Sequence, residues 1–184
     1  PCISGTRGSG TVFFTGCVLK CVFCQNSVLA ESKVGKPVTV SRLAEIFLEL
    51  QNKGAHNINL VTPTHFVPSI RESIILSKKN GLSVPIVYNT GSYESVDTIK
   101  SLEGLVDIYL PDLKYVSSEL SKKYSKAGDY FEVARKAIDE MVRQTGTSEF
   151  DDDGIMKKGV IVRHLLLPGC LSDSKNVIKY LYDT

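Results

Sequence analysis

The sequence contains no tryptophan and only two methionines, and no apolar run approaches the roughly 20 residues that a membrane-spanning helix needs. It also lacks an excess of charge of either sign, since the 184 residues carry a formal net charge of +2. The composition therefore offers no basic field that would attract nucleic acid or an anionic membrane. No secretory signal peptide is recognisable at the start. We expect a cytoplasmic protein with neither nucleic acid nor a membrane among its partners.

The chain is nevertheless long and apolar enough to bury one core, because 42% of its residues are hydrophobic. It contains no low-complexity segment or linker, so residues 1–184 are expected to form one domain. The first residue is Pro1 rather than Met, so we expect either a processed start or a fragment of a longer chain. The chain has five cysteines, an uneven count, and a chain of this size does not need disulfides for stability. The cysteines therefore fit metal-binding thiols in a reducing compartment better than a set of disulfides.

Strand-like and helix-like segments alternate five times along the chain. This order predicts parallel strands joined by right-handed crossovers, and the nearly continuous apolar strands fit a sheet covered on both faces. An open doubly wound sheet and a full or partial barrel are both compatible with it. The predicted strands are 11–16, 57–61, 84–89, 106–114 and 160–168, and the predicted helices are 41–54, 67–81, 96–104, 130–146 and 172–184.

Polar side chains gather where the predicted strands end, the edge at which both architectures place their ligands. The cysteine-rich segment 15–26 follows the first strand, so it belongs to the same edge. We therefore expect one site that combines thiols with these polar groups. In chain order they are Thr62, Thr64 and His65, then Asn89 and Thr90, then Asp112 and Lys114, and finally Arg163 and His164 within the fifth strand.

The cysteine-rich segment, TGCVLKCVFCQN, has the spacing C-x3-C-x2-C. Soft thiolate sulfur suits iron, and close spacing lets one loop wrap an iron–sulfur cluster. A four-iron cubane held by Cys17, Cys21 and Cys24 keeps one iron open for another ligand. Two alternatives remain at this point: a zinc site completed by Cys2, Cys170 or a histidine, and a redox-active pair of Cys21 and Cys24.

The motif CVLKCVFC, with an aromatic residue before its last cysteine, resembles the cluster motif of the radical S-adenosylmethionine (SAM) superfamily. Further segments are similar to its pyruvate formate-lyase-activating enzyme-like branch: PCISGTRGSGTVFFTGC, GAHNINLVTPTHFVP, PIVYNTGSYE, DIYLPDLKY and IVRHLLLPG. The resemblance extends over nearly the whole chain. It implies an α/β fold, a partial (β/α)6 barrel that is truncated here at about five β/α units.

The resemblance implies a [4Fe-4S] cluster and SAM as cofactors. Cys17, Cys21 and Cys24 match the three cluster ligands, and the amino and carboxylate groups of SAM would occupy the fourth iron. Phe23 matches the aromatic position whose neighbourhood contacts the adenine. We call the three matched cysteines the loop cysteines.

The resemblance also assigns SAM contacts to the strand ends. Thr62 and Thr64 stand where many relatives carry a Gly-Gly-Glu-Pro run that binds the methionyl amine, but the run here is Thr-Pro-Thr. Threonine hydroxyls or backbone carbonyls would have to accept from the amine instead. Asn89 and Thr90 match the position that meets the methionyl group or the ribose.

The remaining matched positions carry charge. Asp112 and Lys114 match an Asp-Leu-Lys motif and are the expected catalytic residues: Lys114 would neutralise the SAM carboxylate, and Asp112 would orient the sulfonium end. Arg163 and His164 match the fifth strand and would line the ribose or carboxylate side. All four are also expected cofactor-binding residues.

The activity that the resemblance implies is reductive cleavage of SAM to a 5′-deoxyadenosyl radical, with the cofactors supplying the difficult chemistry. That radical would generate a glycyl radical on a partner protein such as pyruvate formate-lyase, and a flavodoxin or ferredoxin-type protein would donate the electron. One alternative is a radical SAM enzyme with a different peptide or small-molecule substrate. Another is a non-catalytic iron–sulfur or zinc module.

Overall fold

The computed structural model describes residues 2–31 and 34–183 and contains four of the five predicted strand–helix units at their predicted positions. In the fifth unit the strand lies earlier in the chain than predicted. Pro1 and Thr184, which the predicted domain includes, lie outside the described residues. The strands are β1 (Gly10–Phe13), β2 (Ile58–Val61), β3 (Ile86–Thr90), β4 (Ile108–Pro111), β5 (Glu149–Phe150) and β6 (Met156–Val160). The helices are α1 (Ser27–Ala30), α2 (Val40–Asn52), α3 (Val67–Lys79), α4 (Val96–Lys100), α5 (Ser118–Ser125), α6 (Tyr130–Thr145) and α7 (Leu171–Asp183), with a 3-10 turn at Thr64–Phe66.

The strands form one six-stranded sheet in the order β1-β2-β3-β4-β6-β5. All neighbours are parallel except the short β5, which pairs antiparallel with β6. Within the described residues the two edge strands of the sheet do not pair with each other, so the sheet is open and is not a closed barrel. The predicted fold class, a partial barrel of β/α units, is confirmed.

The core lies between the sheet and helices α2, α3, α4 and α6. Leu60 of β2 pairs with Tyr88 of β3, and Tyr88 in turn lies beside Tyr109 of β4. The two tyrosine rings pack edge to face with their centroids 5.9 Å apart. Phe47 of α2 is completely buried against this layer. Burial of each such side chain contributes roughly 1.5–3 kcal/mol to the free energy of folding. The apolar residues therefore recur in the sequence at the positions that face this core.

The residues at the ends of α2 and α3 explain where these helices begin and end. The hydroxyl of Thr39 accepts a hydrogen bond from the backbone N–H of Arg42 and thereby caps the start of α2. Pro68 occupies the first turn of α3, where its missing N–H costs nothing. Gly81 follows that helix with φ of +97°, a conformation that glycine adopts without a steric penalty.

The predicted fifth strand, 160–168, is wrong in position, because β6 spans Met156–Val160. The strand begins inside a charged segment, where Lys157 forms an ion pair with Asp151. Sheet pairing continues past β6 only as far as the bridge between Arg163 and Asp112. The apolar residues that suggested a longer strand, Leu165 and Leu166, are more than half exposed. Among the described residues, no helix is both long and apolar enough to cross a membrane.

Candidate active site at the carboxyl ends of the strands

A cavity of about 560 Å³ lies where the parallel strands end. It is bounded by the loop after β1, by α1, and by the loops that follow β2, β3, β4 and β6. Of the polar residues that the sequence predicted for one site, Thr64 and His65 are not part of its wall, and His65 lines a separate cavity. The predicted residues that line it are Cys17, Cys21, Phe23, Cys24, Thr62, Asn89, Thr90, Asp112, Lys114, Arg163 and His164.

The loop cysteines reach this cavity because their loop is held at both sides. Gly16 N–H donates to the carbonyl of Leu29 at 2.9 Å. On the other side, Lys20 N–H donates to the Ser125 carbonyl at 3.1 Å and Val22 N–H to the Tyr124 carbonyl at 2.9 Å. These carbonyls belong to the last turn of α5, where a helix leaves its acceptors free. The helix end therefore fixes the cysteine loop against the sheet.

All three loop cysteines are free thiols that are neither fully buried nor fully exposed. In residues 2–31 and 34–183 no three His, Cys, Asp or Glu side chains stand close enough to hold one metal ion. A single zinc needs its ligands within roughly 4 Å of one another, since each lies about 2.3 Å from the metal. A cubane spreads its ligands over different iron atoms. Three thiols around one cavity fit such a cluster, with the rest of the cavity left for its fourth ligand.

Burial raises the pKa of the Cys17 thiol, and the neighbouring sulfur atoms of the other loop cysteines add to this effect. The Lys114 ammonium works in the opposite direction, as does a backbone hydrogen bond from Leu19. A thiol must lose its proton to become a metal ligand, so metal binding at this loop would release a proton.

A compact ion-pair network lines the same cavity as the cysteines. The Asp112 carboxylate accepts from Lys114 Nζ at 2.5 Å through one oxygen and from Arg163 Nη2 at 2.7 Å through the other. Arg163 Nη2 also donates to Asn89 Oδ1 at 2.7 Å. Two cations around one carboxylate leave one positive charge, which suits a ligand that carries a carboxylate. We call Asp112, Lys114 and Arg163 the charged triad.

Asn59, which the sequence reasoning missed, lies inside β2 and also lines the cavity. Its Oδ1 is buried and has no hydrogen-bond partner among the described residues. An unpaired buried acceptor is unfavourable unless a ligand or water donates to it. This oxygen is therefore a place where a ligand N–H or O–H can bind.

Glu94 holds the side chain of Thr64 by a hydrogen bond. Its buried Oε1 accepts three hydroxyl hydrogen bonds, from Thr64 at 2.6 Å, Thr90 at 2.7 Å and Tyr88 at 3.1 Å. Its other oxygen, Oε2, is buried without a partner. Burial raises the pKa of the Glu94 carboxyl, although the three hydroxyls oppose that rise. The residue ties the loop after β2 to the end of β3.

Tyr130, the first residue of α6, joins two further loops behind the cavity. Its completely buried hydroxyl lies 2.6 Å from the Asp112 carbonyl and 2.9 Å from the Gly91 carbonyl, and it accepts from Lys114 N–H at 3.1 Å. Burial raises the pKa of Tyr130 well above its ordinary value, so the hydroxyl keeps its proton. The sequence reasoning assigned a role to neither Tyr130 nor Glu94, although Glu94 is the last residue of the matched segment PIVYNTGSYE.

The remaining predicted residues differ in the contacts that they already make within the protein. Both ring nitrogens of His164 are bound within the protein, to the Leu113 carbonyl at 2.7 Å and the Ser174 hydroxyl at 2.8 Å. Its ring therefore fastens the chain before α7. Phe23 packs edge to face on Tyr115. Thr62 has φ of +57°, a left-handed conformation that is uncommon for a residue with a branched side chain.

Comparison with known proteins gives a matching family model and a relative that is similar over most of this chain. Residues 11–150 match the family model of the Radical SAM superfamily. The chain is 30% identical over 172 residues to MJ0674, an uncharacterised protein of Methanocaldococcus jannaschii; the match covers 89% of this chain and 46% of that protein. The chain thus spans less than half of this relative's length.

Two solved structures share the fold. Methylornithine synthase, PylB, superposes with a TM-score of 0.54 at 18% identity, over 91% of this chain and 47% of that one. HydG, a maturase of the [FeFe]-hydrogenase, superposes with a TM-score of 0.52 at 15% identity, over 72% of this chain and 32% of that one. At such identities the likeness concerns the fold alone.

Proposed function

Because the chain belongs to the Radical SAM superfamily, whose members use a [4Fe-4S] cluster and S-adenosylmethionine, we propose that it serves to generate a glycyl radical on a partner protein. The proposed partner is a glycyl-radical enzyme such as pyruvate formate-lyase. A flavodoxin or ferredoxin-type protein is the proposed electron donor. The activity is proposed for the whole protein, and the described residues would supply its cofactor site.

The loop cysteines would hold the cluster, and the opposite wall would hold SAM. When bound, these cofactors supply a radical that removes a hydrogen atom from the substrate. Lys114 and Arg163 would bind the SAM carboxylate, since Asp112 already fixes both cations at the cavity wall. The unpaired Oδ1 of Asn59 is positioned in the same wall to accept from a ligand N–H.

The protein's further task is to orient these groups and to keep water from the reacting atoms. Glu94 and Tyr130 would help to orient them indirectly, because they hold the loops after β2, β3 and β4 by buried hydrogen bonds. Side chains fixed in this way need little rearrangement when a ligand enters.

The observation that favours a macromolecular substrate is the apolar rim of the cavity. Phe13 and Leu165 both line it, yet they are 51% and 53% exposed. A substrate peptide would cover these side chains and remove their surface from water, whereas a small molecule inside the cavity would leave the rim exposed. A glycine loop inserted from a partner protein fits this rim.

The test uses the full-length protein, reconstituted anaerobically, reduced and supplied with SAM. It is incubated with pyruvate formate-lyase or another glycyl-radical enzyme from the same organism, and electron paramagnetic resonance (EPR) is recorded. We expect the doublet of a glycyl radical, which should collapse to a singlet when the glycine is α-deuterated. A Cys24→Ala variant should give neither the doublet nor 5′-deoxyadenosine.

Two other outcomes would distinguish a wrong substrate assignment from a wrong enzyme class. Release of 5′-deoxyadenosine with a small molecule or a glycine-free peptide, and no radical on any glycyl-radical enzyme, would contradict glycyl-radical formation. It would favour a radical SAM enzyme with another substrate. Failure to release any 5′-deoxyadenosine from the iron-loaded protein would instead favour a non-catalytic iron–sulfur module.

A further inference from the structure

One loop cysteine has a buried hydroxyl as its neighbour. Cys21 Sγ lies 3.0 Å from the hydroxyl oxygen of Ser125, the last residue of α5. The same oxygen lies 2.9 Å from the hydroxyl of Tyr115. Ser125 and Tyr115 are each only 1% exposed, so water does not compete for these hydrogen bonds.

The direction of this chain of hydrogen bonds follows from the chemistry of a metal ligand. A cysteine that binds iron is a thiolate and has no proton to donate, so its sulfur can only accept. The single hydroxyl proton of Ser125 must then point to Cys21. The Ser125 oxygen is left to accept from Tyr115, whose hydroxyl keeps its proton because burial raises the pKa of Tyr115 to about 12.

The backbone of Ser125 supports the same contact. Its carbonyl accepts from Lys20 N–H, and the preceding Tyr124 carbonyl accepts from Val22 N–H. The two donors flank Cys21 in the chain, so the distance between the sulfur and the hydroxyl is set by backbone hydrogen bonds on both sides. Ser121, one turn earlier on α5, is equally buried, but its hydroxyl donates to the Ser118 carbonyl instead.

We propose that Ser125, supported by Tyr115, is a positioning residue that donates a hydrogen bond to the cluster ligand Cys21 and raises the reduction potential of the cluster. Reduction adds negative charge to the cluster and its sulfur ligands, and a hydrogen bond to sulfur stabilises the more negative state. This inference depends on Cys21 being an iron ligand, but not on which substrate or partner the enzyme uses.

The test compares three variants of the anaerobically reconstituted full-length protein: Ser125→Ala, Tyr115→Phe and, as a matched control, Ser121→Ala. Iron content is measured first, and the cluster is then titrated with reductant in the absence of substrate while its EPR signal is followed. We expect Ser125→Ala to lower the equilibrium constant of the one-electron reduction about tenfold, which corresponds to about 59 mV. Tyr115→Phe should shift it in the same direction by less, and Ser121→Ala should leave it unchanged.

The result that overturns the proposal is an unchanged potential in a Ser125→Ala protein that retains its iron. An equal shift in Ser121→Ala would also overturn it, since the effect would then belong to the helix and not to the sulfur contact. If Ser125→Ala loses its iron, Tyr115→Phe decides: a lowered potential supports the proposal, and an unchanged one refutes it. Because no partner protein is present, the outcome is independent of the glycyl-radical test.

Discussion

The hydroxyl of Tyr130 offers a direct test of how the site is held to the fold. It contacts the backbone of Gly91, Asp112 and Lys114, three residues of the cavity wall that lie on two different loops. The change Tyr130→Phe removes this one oxygen and preserves the ring, which packs edge to face on Tyr115. Any effect is therefore due to the lost hydrogen bonds.

The expected cost can be estimated from the three backbone groups that lose their partner. A hydrogen bond contributes about 1 kcal/mol net, and a buried polar group left unpaired costs about 1–3 kcal/mol. The Lys114 N–H loses its acceptor outright, while the two carbonyls share one donor. We therefore expect Tyr130→Phe to lower the free energy of unfolding by about 2–4 kcal/mol, a large part of the roughly 5–15 kcal/mol of a typical domain.

The assay is equilibrium urea unfolding of the 184-residue chain, followed by circular dichroism. With a slope of about 2 kcal/mol per molar urea, the midpoint should fall by about 1–2 M. Tyr182→Phe is the matched control, since Tyr182 is 88% exposed and its loss of a hydroxyl should change stability by less than about 0.5 kcal/mol. A Tyr130→Phe midpoint equal to that of the control would show that the hydroxyl does not tie the loops together.

Three further predictions concern the cysteines, the charged triad and Glu94. Replacing any loop cysteine by alanine should abolish iron binding after anaerobic reconstitution, whereas Cys170→Ala should retain about four irons per chain; stoichiometric zinc without iron–sulfur absorption would contradict this. Lys114→Ala should weaken SAM binding by at least tenfold in equilibrium dialysis, and His56→Ala, in a separate cavity at the opposite end of β2, should not; equal affinities would remove Lys114 from the site. Because burial raises the pKa of Glu94 above its ordinary value of 4.5, the stability that its protonated carboxyl contributes is present below that value and is lost as the pH rises through the raised pKa. The stability advantage of the parent over Glu94→Gln should therefore shrink from pH 4 to pH 8 in urea unfolding, and an advantage that grows would show that the carboxylate form is the stabilising one.

Much of the fold could be predicted from the sequence because it depends on patterns within single segments. The apolar spacing of 130–146 predicted a helix that the structure shows at Tyr130–Thr145. Near-continuous apolar segments predicted the buried parallel strands. The pattern failed at β6, because Lys157 and Lys158 belong to a strand near the sheet edge, where half-buried lysines are tolerated.

The candidate site could be predicted only in part, because some of its residues are brought in by contacts between distant segments and not by a local pattern. Strand-end residues share one edge of a parallel sheet, so topology alone gathers Asn89, Asp112 and Arg163. Tyr130 and Ser125 are different: each meets the site through contacts with residues far away in the chain, and neither residue type is diagnostic by itself. Such partners follow from the packing of α5 and α6 on the sheet and not from any local motif.

The two acidic side chains near the cavity are held by opposite means, and this difference decides which of them a ligand meets. In the part of the chain that the structure describes, the hydrogen-bond partners of the buried Glu94 are neutral hydroxyls, so its protonation state affects the stability of the fold. Asp112 has a cation on each oxygen and lines the cavity. A carboxylate ligand that binds Lys114 and Arg163 must share them with Asp112 and need not displace it, because each cation has further N–H groups to donate. In the proposed complex with SAM, the charged triad would therefore receive the carboxylate of SAM in a geometry that Asp112 already sets.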